Sequence, residues 1–185
     1  MREVLAEGDI VSAEVRMVNG QGVGGGNIIL HARSVRCGKL ENGCFVMVPS
    51  WLIARRKKHF VVLGNEREQG FDGVKIEILL GCNGGIWIQT AMMELEEMGE
   101  SGGVIEEVQR IRNDHASKEI TMEERIVLAR VRNAIEALKM VYCRITPENI
   151  LMVVQATAEL GCDVVDMLRP ETIVKITECT RGQKQ

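Results

Sequence analysis

Apolar and polar residues alternate along much of the first half of the chain, and a period of two predicts β-strands. Residues 9–18 alternate in part, and residues 27–33 form a second short apolar run. The glycine-rich stretch between them predicts a turn, so the two strands should pair as a β-hairpin. Three further apolar segments, 44–49, 73–80 and 85–89, predict three more strands.

The predicted hairpin stands at the beginning of the sequence, and two strands alone are only marginally stable in water. Both of their edges would be open to pairing with other chains. We therefore expect either additional chain before these strands or a partner that covers them.

The stretch after the third strand predicts a short helix and then a loop. Residues 50–60 have the composition of a short helix, with Ser50 as its N-cap. Residues 61–72 then predict a loop that leads to the fourth strand.

A first long helix in the last third of the chain is predicted by its cap. Thr121 and Glu124 have the spacing of a capping box, in which two side chains satisfy the free backbone N–H groups of the first turn. An apolar series at helical spacing follows: Leu128, Val131, Ile135 and Leu138. The cap and the series together predict an amphipathic helix.

Two more helices are predicted by proline and glycine. Thr146 and Pro147 are typical of an N-cap and a first helical position, and Gly161 ends that helix. Pro170 begins a final short helix, with Gly182 just past its end. Because the strands come first and the helices follow, the predicted class is α+β and not alternating βαβ.

An acidic connector separates the strands from the helices, at about residues 90–120. From Glu94 to Glu124 there are ten acidic and three basic residues, a local charge of −7. A Ser-Gly-Gly break at 101–103 predicts a flexible joint.

Composition bounds the class of protein. The 185 residues are 45% apolar and 26% charged, which predicts a globular chain with a sizeable core. The net charge of −3 argues against a uniformly basic nucleic-acid binder but leaves local patches open. No apolar run approaches the roughly 18 residues that span a bilayer, so no membrane partner is expected. The first residues lack the apolar block of a secretory signal.

The cysteines and histidines are too scattered for a metal site. The six cysteines include no C-x-x-C pair, so zinc is not expected, and they predict reduced, mostly buried thiols. They lie at Cys37, Cys44, Cys82, Cys143, Cys162 and Cys179. His31, His59 and His115 suggest no cluster either. We expect neither a metal nor another cofactor.

Positive charge concentrates in residues 31–60, which hold seven basic residues and one acid. The basic residues are Arg33, Arg36, Lys39, Arg55, Arg56, Lys57 and Lys58. Such cations could bind phosphates without base specificity. Alternatively, those at 55–58 could complement the dipole at the end of a helix, although four in a row exceed what a helix end requires.

Two glycine motifs have alternative interpretations. Residues 20–25 satisfy G-x-G-x-x-G, but a dinucleotide site needs a helix after the loop, and here a strand follows. A plain hairpin loop is the simpler interpretation. Gly81-Cys82-Asn83-Gly84 fits the GXXG loop of a KH domain, yet it also suits a tight turn between two strands.

The two tryptophans and the absence of catalytic patterns also bear on the class of function. Trp51 and Trp87 are expected in the core or at an interface, and not as a stacking platform, in a chain that is only 3% aromatic. The sequence contains no Ser/His/Asp set, paired catalytic carboxylates or phosphate-binding loop. It therefore predicts a protein that is not an enzyme.

Several segments must be taken together: residues 7–15, 30–34, 38–40, 48–60, 80–84, 86–88, 131–138 and 145–147, with Ile150. In combination they resemble one protein family, the RNA-binding cap subunits of the RNA exosome of the type called ribosomal-RNA-processing protein four. A sister cap subunit, ribosomal-RNA-processing protein forty, shares the Gly-x-Asn-Gly turn and the Ile-Trp pair. Residues 30–34 and 55–60 favour the former type.

The resemblance implies two domains. Residues 1–40 would be the last strands of an S1-type OB barrel, incomplete because the family has an N-terminal domain and further barrel strands before this point. Residues 41–185 would be a KH domain with C-terminal helices. The expected chain is thus an N-terminally truncated form of the family.

The resemblance also implies a function without catalysis. Three S1/KH-type caps sit on a six-subunit ring and line the opening of a central channel, and a separate nuclease degrades or trims RNA from its 3′ end. The expected processes are rRNA processing and RNA degradation, in the nucleus, the nucleolus and the cytoplasm. The expected partners are RNA, held through its phosphates, together with the exosome ring and the other cap subunits.

The resemblance assigns roles to particular residues. The RNA-binding set would be Arg33, Arg36, Lys39, Arg55, Arg56, Lys57, Lys58 and His59. A structural turn and domain interface would comprise Gly81, Asn83, Gly84 and Trp87. Two other functions stay open at this point: a free-standing KH-type RNA-binding protein, and a nucleotide-dependent enzyme built on the glycine-rich loop.

Overall fold

The chain divides into two compact units. The smaller unit is built from residues 1–42 and 92–118, and the larger unit from residues 43–91 and 119–185. The computed structural model describes residues 5–18, 28–31, 37–65, 67–92 and 105–182.

The strands of the smaller unit form two antiparallel pairs, β1 with β4 and β2 with β3. They are β1 (Val11–Ser12), β2 (Glu14–Val18), β3 (Ile28–His31) and β4 (Gly38–Lys39). The predicted hairpin is confirmed as the β2–β3 pair. The single strand predicted over 9–18 is wrong, because its two halves bond to different partners and the strand is interrupted at Ala13.

A helix also belongs to the smaller unit, where the sequence predicted only an acidic connector. This helix, α1, spans Ile105–Ser117. Its end is held by Asn42, whose side-chain amide donates to the carbonyl oxygens of His115 and Lys118 at 2.8 and 2.9 Å. Carbonyls in the last turn of a helix lack partners within the helix, so this contact stabilises its end.

The larger unit contains one four-stranded sheet with the order β5-β8-β7-β6, and every neighbouring pair is antiparallel. Its strands are β5 (Gly43–Met47), β6 (Phe60–Leu63), β7 (Ile76–Leu80) and β8 (Gly85–Thr90). The strands predicted near 44–49, 73–80 and 85–89 are therefore confirmed. The loop predicted over 61–72 is wrong at its start, where the β-branched Val61 and Val62 extend β6.

Three helices and two 3-10 turns complete the larger unit. The helices are α2 (Met122–Met140), α3 (Pro147–Glu159) and α4 (Pro170–Gly182), and the turns are Ser50–Leu52 and Val164–Asp166. The predicted capping box is confirmed, with Glu124 N–H donating to the Thr121 hydroxyl at 3.2 Å and Thr121 N–H to the Glu124 carboxylate at 2.9 Å. The cap at Thr146 and Pro147 is confirmed as well.

The core of the larger unit lies between one face of the sheet and the helices. Helix α2 packs against β5 and β8, and α3 packs against α2 and β6. Buried residues of the sheet include Val46, Ile76, Ile78, Leu80, Ile86 and Ile88, and those of the helices include Val131, Ile135, Leu138, Ile150 and Val153. Antiparallel strands beside helices make a mixed α and β fold. The predicted class is therefore confirmed as a mixed fold of antiparallel strands and helices.

The helix predicted over residues 50–60 is wrong. Only Ser50–Leu52 forms a helical turn, a 3-10 turn whose N-cap is Pro49, without a side-chain cap from Ser50. The apolar residues here are consecutive, and the four cations that follow offer no apolar position at helical spacing that could pack against the sheet. The segment therefore continues beyond Leu52 as a loop and not as a helix.

The cysteines are less buried than the sequence suggested. Among those whose side chains the structure describes, Cys37 is buried, Cys82 is exposed, and Cys44, Cys143 and Cys162 lie between these limits. Within the described ranges, no three His, Cys, Asp or Glu side chains are placed to hold a metal ion. None of the described helices combines the length and the apolar character needed to cross a bilayer.

Candidate nucleic-acid interface

The densest positive charge of the larger unit lies in residues 54–59, which we call the basic loop. It connects the 3-10 turn at Ser50–Leu52 with β6. Four of its side chains are exposed cations: Arg55, Arg56, Lys57 and Lys58. The loop has no large apolar side chain to bury, so it presents this charge to solvent.

One cation of the basic loop has an acidic partner. Arg56 Nη1 lies 3.2 Å from a carboxylate oxygen of Glu148, in the first turn of α3. The pKa of Glu148 is below its ordinary value because its carboxylate accepts from its own backbone N–H, with smaller contributions from Thr146 and Arg56, while partial desolvation opposes them. Glu148 is 67% exposed, so this pair stabilises little.

The other three cations of the basic loop differ from Arg56. Among the residues that the structure describes, no carboxylate forms an ion pair with Arg55, Lys57 or Lys58. Exposed lysine and arginine side chains of this kind are free to follow a phosphate backbone. These three are therefore the strongest candidates for phosphate contact.

His59, which the resemblance placed in the RNA-binding set, is turned toward the sheet. Its Nδ1 lies 2.9 Å from the carbonyl oxygen of Leu80, and its own carbonyl accepts from Leu80 N–H at 2.9 Å. Because a carbonyl oxygen only accepts, Nδ1 carries the proton and donates. The imidazole thus anchors the end of the basic loop to β7.

Lys39 belongs to the smaller unit and has two acidic partners. Its Nζ lies 2.7 Å from Glu41 and 3.3 Å from Asp9. The hydrogen bonds to Glu41 and then Asp9 raise the pKa of Lys39, and the pKa of Asp9 is lowered by a hydrogen bond from Ala6 N–H and by Lys39. Two carboxylates neutralise this cation locally, so it is a weaker candidate for phosphate contact than the basic loop.

Some of the predicted features lie outside the described residues. They are Arg33, Arg36, the glycine-rich loop at 20–25, the Ser-Gly-Gly break at 101–103 and the part of the acidic connector at 93–104.

The Gly-Cys-Asn-Gly turn connects β7 and β8, where the sequence predicted a turn between two strands. Asn83 Oδ1 accepts from Gly85 N–H at 3.0 Å, which closes the turn. Gly84 has φ +95°, and a side chain there would clash with the carbonyl of Val48. Its own carbonyl accepts from Val48 N–H at 2.9 Å. The turn therefore supports the chain just before the 3-10 turn.

Trp87 lies on the sheet face opposite the helices and is 7% exposed. Its Nε1 donates to Gln89 Oε1 at 2.8 Å, and Gln89 Nε2 donates to Glu77 Oε2 at 2.8 Å. The indole packs over Gly43 of β5, where any side chain would clash with the ring. These contacts give Trp87 a structural role, consistent with the expected core or interface position.

Trp51 was expected in the core or at an interface, and the structure excludes the first of these positions. It is 64% exposed, so it is not a core residue. Its ring stacks on that of Tyr142, with centroids 6.0 Å apart and planes 6° from parallel. No pattern in the sequence predicts this pair, because the two residues lie far apart along the chain and neither belongs to a recognisable motif.

The comparisons with known proteins agree with this geometry. Residues 43–93 match the family model described as KH domain, and these residues contain all four strands of the larger unit. The "Exosome complex component RRP4 homolog" of Arabidopsis thaliana is 32% identical over 181 residues, which are 96% of this chain and 52% of that protein. The chain is a relative of the exosome component RRP4.

Further RRP4 proteins align over similar lengths. "Exosome complex component RRP4" of Bos taurus is 31% identical over 98% of this chain, and that of Saccharomyces cerevisiae is 32% identical over 85%. The resemblance seen in the sequence is thereby confirmed, and the sister cap subunit receives no support. The chain spans about half the length of these relatives, 53% and 47% respectively.

Proposed function

We propose that this chain is a non-catalytic, RNA-binding cap component of the RNA exosome. The basic loop holds the phosphate backbone of RNA without reading its sequence and guides the strand toward the central channel for processing or degradation from the 3′ end. Residues 41–185 act as the KH domain, and residues 1–40 supply the last strands of an S1-type OB barrel. The place of action is the nucleus, including the nucleolus, and the cytoplasm.

One observation carries this proposal. Three cations of the basic loop, Arg55, Lys57 and Lys58, are exposed and form no ion pair with a described carboxylate, in the part of the chain that matches a KH domain. Phosphate contacts supply affinity that does not depend on sequence. A component that guides many different RNAs needs contacts of this kind.

The relatives support the assembly part of the proposal. Several aligned proteins carry the name exosome complex component, so this chain is proposed to join an exosome ring and its other cap subunits. The antiparallel β2–β3 pair and the β1–β4 pair are consistent with strands at the end of a barrel. Recovery with stoichiometric ring subunits after native affinity purification tests this part, and recovery alone would favour a free-standing KH-type RNA-binding protein.

The RNA-binding part is tested by salt dependence. The affinity of the purified chain for a single-stranded RNA is measured from low to high salt, for the wild type and for a triple variant, Arg55→Ala, Lys57→Ala and Lys58→Ala. Each lost phosphate contact lowers the slope of log affinity against log salt by ~0.7 for single strands. We therefore expect the slope of the triple variant to fall by about two.

A matched control removes the same charge elsewhere. Arg67, Arg125 and Lys175 are exposed cations outside the basic loop, and their joint replacement by alanine should leave the slope unchanged. Equal slopes for the wild type and the basic-loop variant would exclude the basic loop from RNA binding. Equal losses in the two variants would indicate a general charge effect without a defined site.

A further inference from the structure

Two exposed aromatic rings form a flat surface beside the basic loop. Trp51 and Tyr142 stack nearly in parallel, and they are 64% and 72% exposed. Each ring covers only one face of the other, so exposures this high require that an outer face lies in solvent. Burial of a large ring stabilises a fold, and these two rings contribute no such burial beyond their mutual stack.

The aromatic pair is held in place by the backbone on both sides. Ile145 N–H donates to the carbonyl of Leu52 at 2.8 Å, and Ile53 forms a parallel bridge with Ile145. Tyr142 has φ +52°, a left-handed conformation that turns the chain immediately after α2. Because these contacts fix the backbone that carries both rings, a flat ligand would bind with a smaller ordering cost.

The charges around the aromatic pair are almost all positive. Within residues 50–59 and 141–149, the only acid is Glu148, which pairs with Arg56. The same segments carry five exposed cations: Arg55, Arg56, Lys57, Lys58 and Arg144. The two segments run in parallel from the aromatic pair to the Arg56–Glu148 contact, so the rings and the cations are carried by the same two neighbouring segments.

The distance between rings and cations suits a short stretch of single strand. Trp51 and Arg56 are five residues apart, and five residues span at most ~18 Å. Proteins that bind single strands without sequence preference combine cations along the backbone with rings on which bases stack. Both parts are present here, on the unit that matches a KH domain.

We propose that Trp51 and Tyr142 form a stacking site for an unpaired base of single-stranded RNA, whose neighbouring phosphates lie along the basic loop. The proposal rests on the RNA-binding function proposed above and adds to it a base-contacting site outside the Gly-Cys-Asn-Gly turn. Stacking tolerates every base, so the site adds affinity without a sequence code. A protein partner is the competing occupant, and the experiment distinguishes it.

The test compares RNA with a matched ligand that has no bases. The affinity of the full chain is measured for a short oligoadenylate and for an abasic ribose-phosphate oligomer of equal length. Stacking is worth ~1–3 kcal/mol per base, a factor of roughly 5 to 150 in affinity. We expect Trp51→Ala to lose affinity for oligoadenylate within this range and to keep its affinity for the abasic oligomer. Trp51→Phe should restore much of the loss.

Tryptophan fluorescence gives a second measure at the site itself. Trp51 is exposed and Trp87 is buried, so RNA that stacks on Trp51 should quench the exposed fraction of the emission and shield it from acrylamide. The abasic oligomer should do neither. Trp51→Phe removes the exposed indole, and its remaining emission should not respond to RNA.

Three outcomes would overturn the stacking site, and they separate it from the proposed function. Unchanged oligoadenylate affinity in Trp51→Ala, with the loss confined to the triple variant of the basic loop, excludes stacking and keeps RNA binding. Failure of the wild type to bind either oligomer excludes both. Loss of ring subunits in native purification of Trp51→Ala, with full RNA affinity, makes the aromatic pair a protein contact.

Discussion

The two tryptophans of this chain lie in the same compact unit but in opposite environments. Trp87 is buried on the sheet and donates a hydrogen bond, whereas Trp51 stands in solvent and stacks on another exposed ring. The first is placed by strand register, because its neighbours on both sides in β8 point into the core. The second is placed by a short turn and its contact with the chain after α2. The difference separates a residue that stabilises the fold from one that is available for binding.

The largest expected effect is on stability, and it comes from the buried tryptophan, Trp87. Trp87→Ala should lower the free energy of unfolding by ~3–5 kcal/mol, because it opens a cavity over Gly43 and leaves the amide oxygen of Gln89 without its donor. Trp51→Ala should cost no more than about 1 kcal/mol, since it removes an exposed stack alone. Urea unfolding of both variants measures the two values.

Equal losses from the two substitutions would contradict the assignment. A large loss for Trp51→Ala would make Trp51 a stabilising residue, and an effect on RNA affinity could then arise from unfolding. A small loss for Trp87→Ala would mean that the hydrogen-bonded chain from Trp87 through Gln89 to Glu77 contributes little.

The next effect concerns the Gly-Cys-Asn-Gly turn, which leads into β8 with Trp87 and contacts Val48 just before Trp51. Gly84→Ala should cost about 2 kcal/mol or more, because φ +95° is unfavourable for alanine and the new methyl group would clash with the Val48 carbonyl. Gly73 has φ +78° with open space around it, so Gly73→Ala isolates the conformational cost, about 1 kcal/mol. Thermal or urea unfolding gives both numbers.

The difference between these glycine variants tests the support of Trp51. Trp51 lies three residues after Val48. If the contact between Gly84 and Val48 positions Trp51, Gly84→Ala should also change the acrylamide quenching of Trp51, and Gly73→Ala should not. Identical costs and identical quenching would show that the Gly-Cys-Asn-Gly turn does not position the aromatic pair.

The features that the sequence predicted correctly are local ones. The capping box at Thr121 and the proline start at Pro147 depend on residues within one helical turn, so their spacing is sufficient. Three of the four strands of the sheet, β5, β7 and β8, follow from short apolar runs between turns. The KH assignment followed from several such segments taken together, and it is confirmed by the family match over residues 43–93.

The features that the sequence missed depend on distant partners. The stack of Trp51 on Tyr142, the anchoring of His59 by Leu80 and the pairing of Arg56 with Glu148 join residues from separate elements. Residue type made Trp51 a candidate for the core or an interface, and the resemblance placed His59 in the RNA-binding set. Helix α1 was missed because its charged composition resembles that of a connector.

The smallest expected effect concerns Glu148, the acid that pairs with Arg56 of the basic loop. Glu148→Gln removes the partner of Arg56, so a fourth cation of the basic loop becomes available to phosphate. The salt slope of RNA binding should become steeper by ~0.7, the value of one phosphate contact on a single strand. Glu171→Gln, which removes an exposed acid from the first turn of α4, serves as the control and should leave the slope unchanged.

Stability should respond to Glu148→Gln only weakly and with a defined pH dependence. A carboxyl group whose pKa is lowered by folding stabilises the protein above its unfolded pKa, and this contribution is lost as the pH falls through the folded pKa. The wild type should therefore exceed the variant by less than about 1 kcal/mol at pH 7, and the difference should shrink below about pH 4.5. A difference that grew on acidification would contradict the contacts with the Glu148 backbone N–H, Thr146 and Arg56. Arg56 would then have no stable acidic partner, and all four cations of the basic loop would be available to RNA in the wild type.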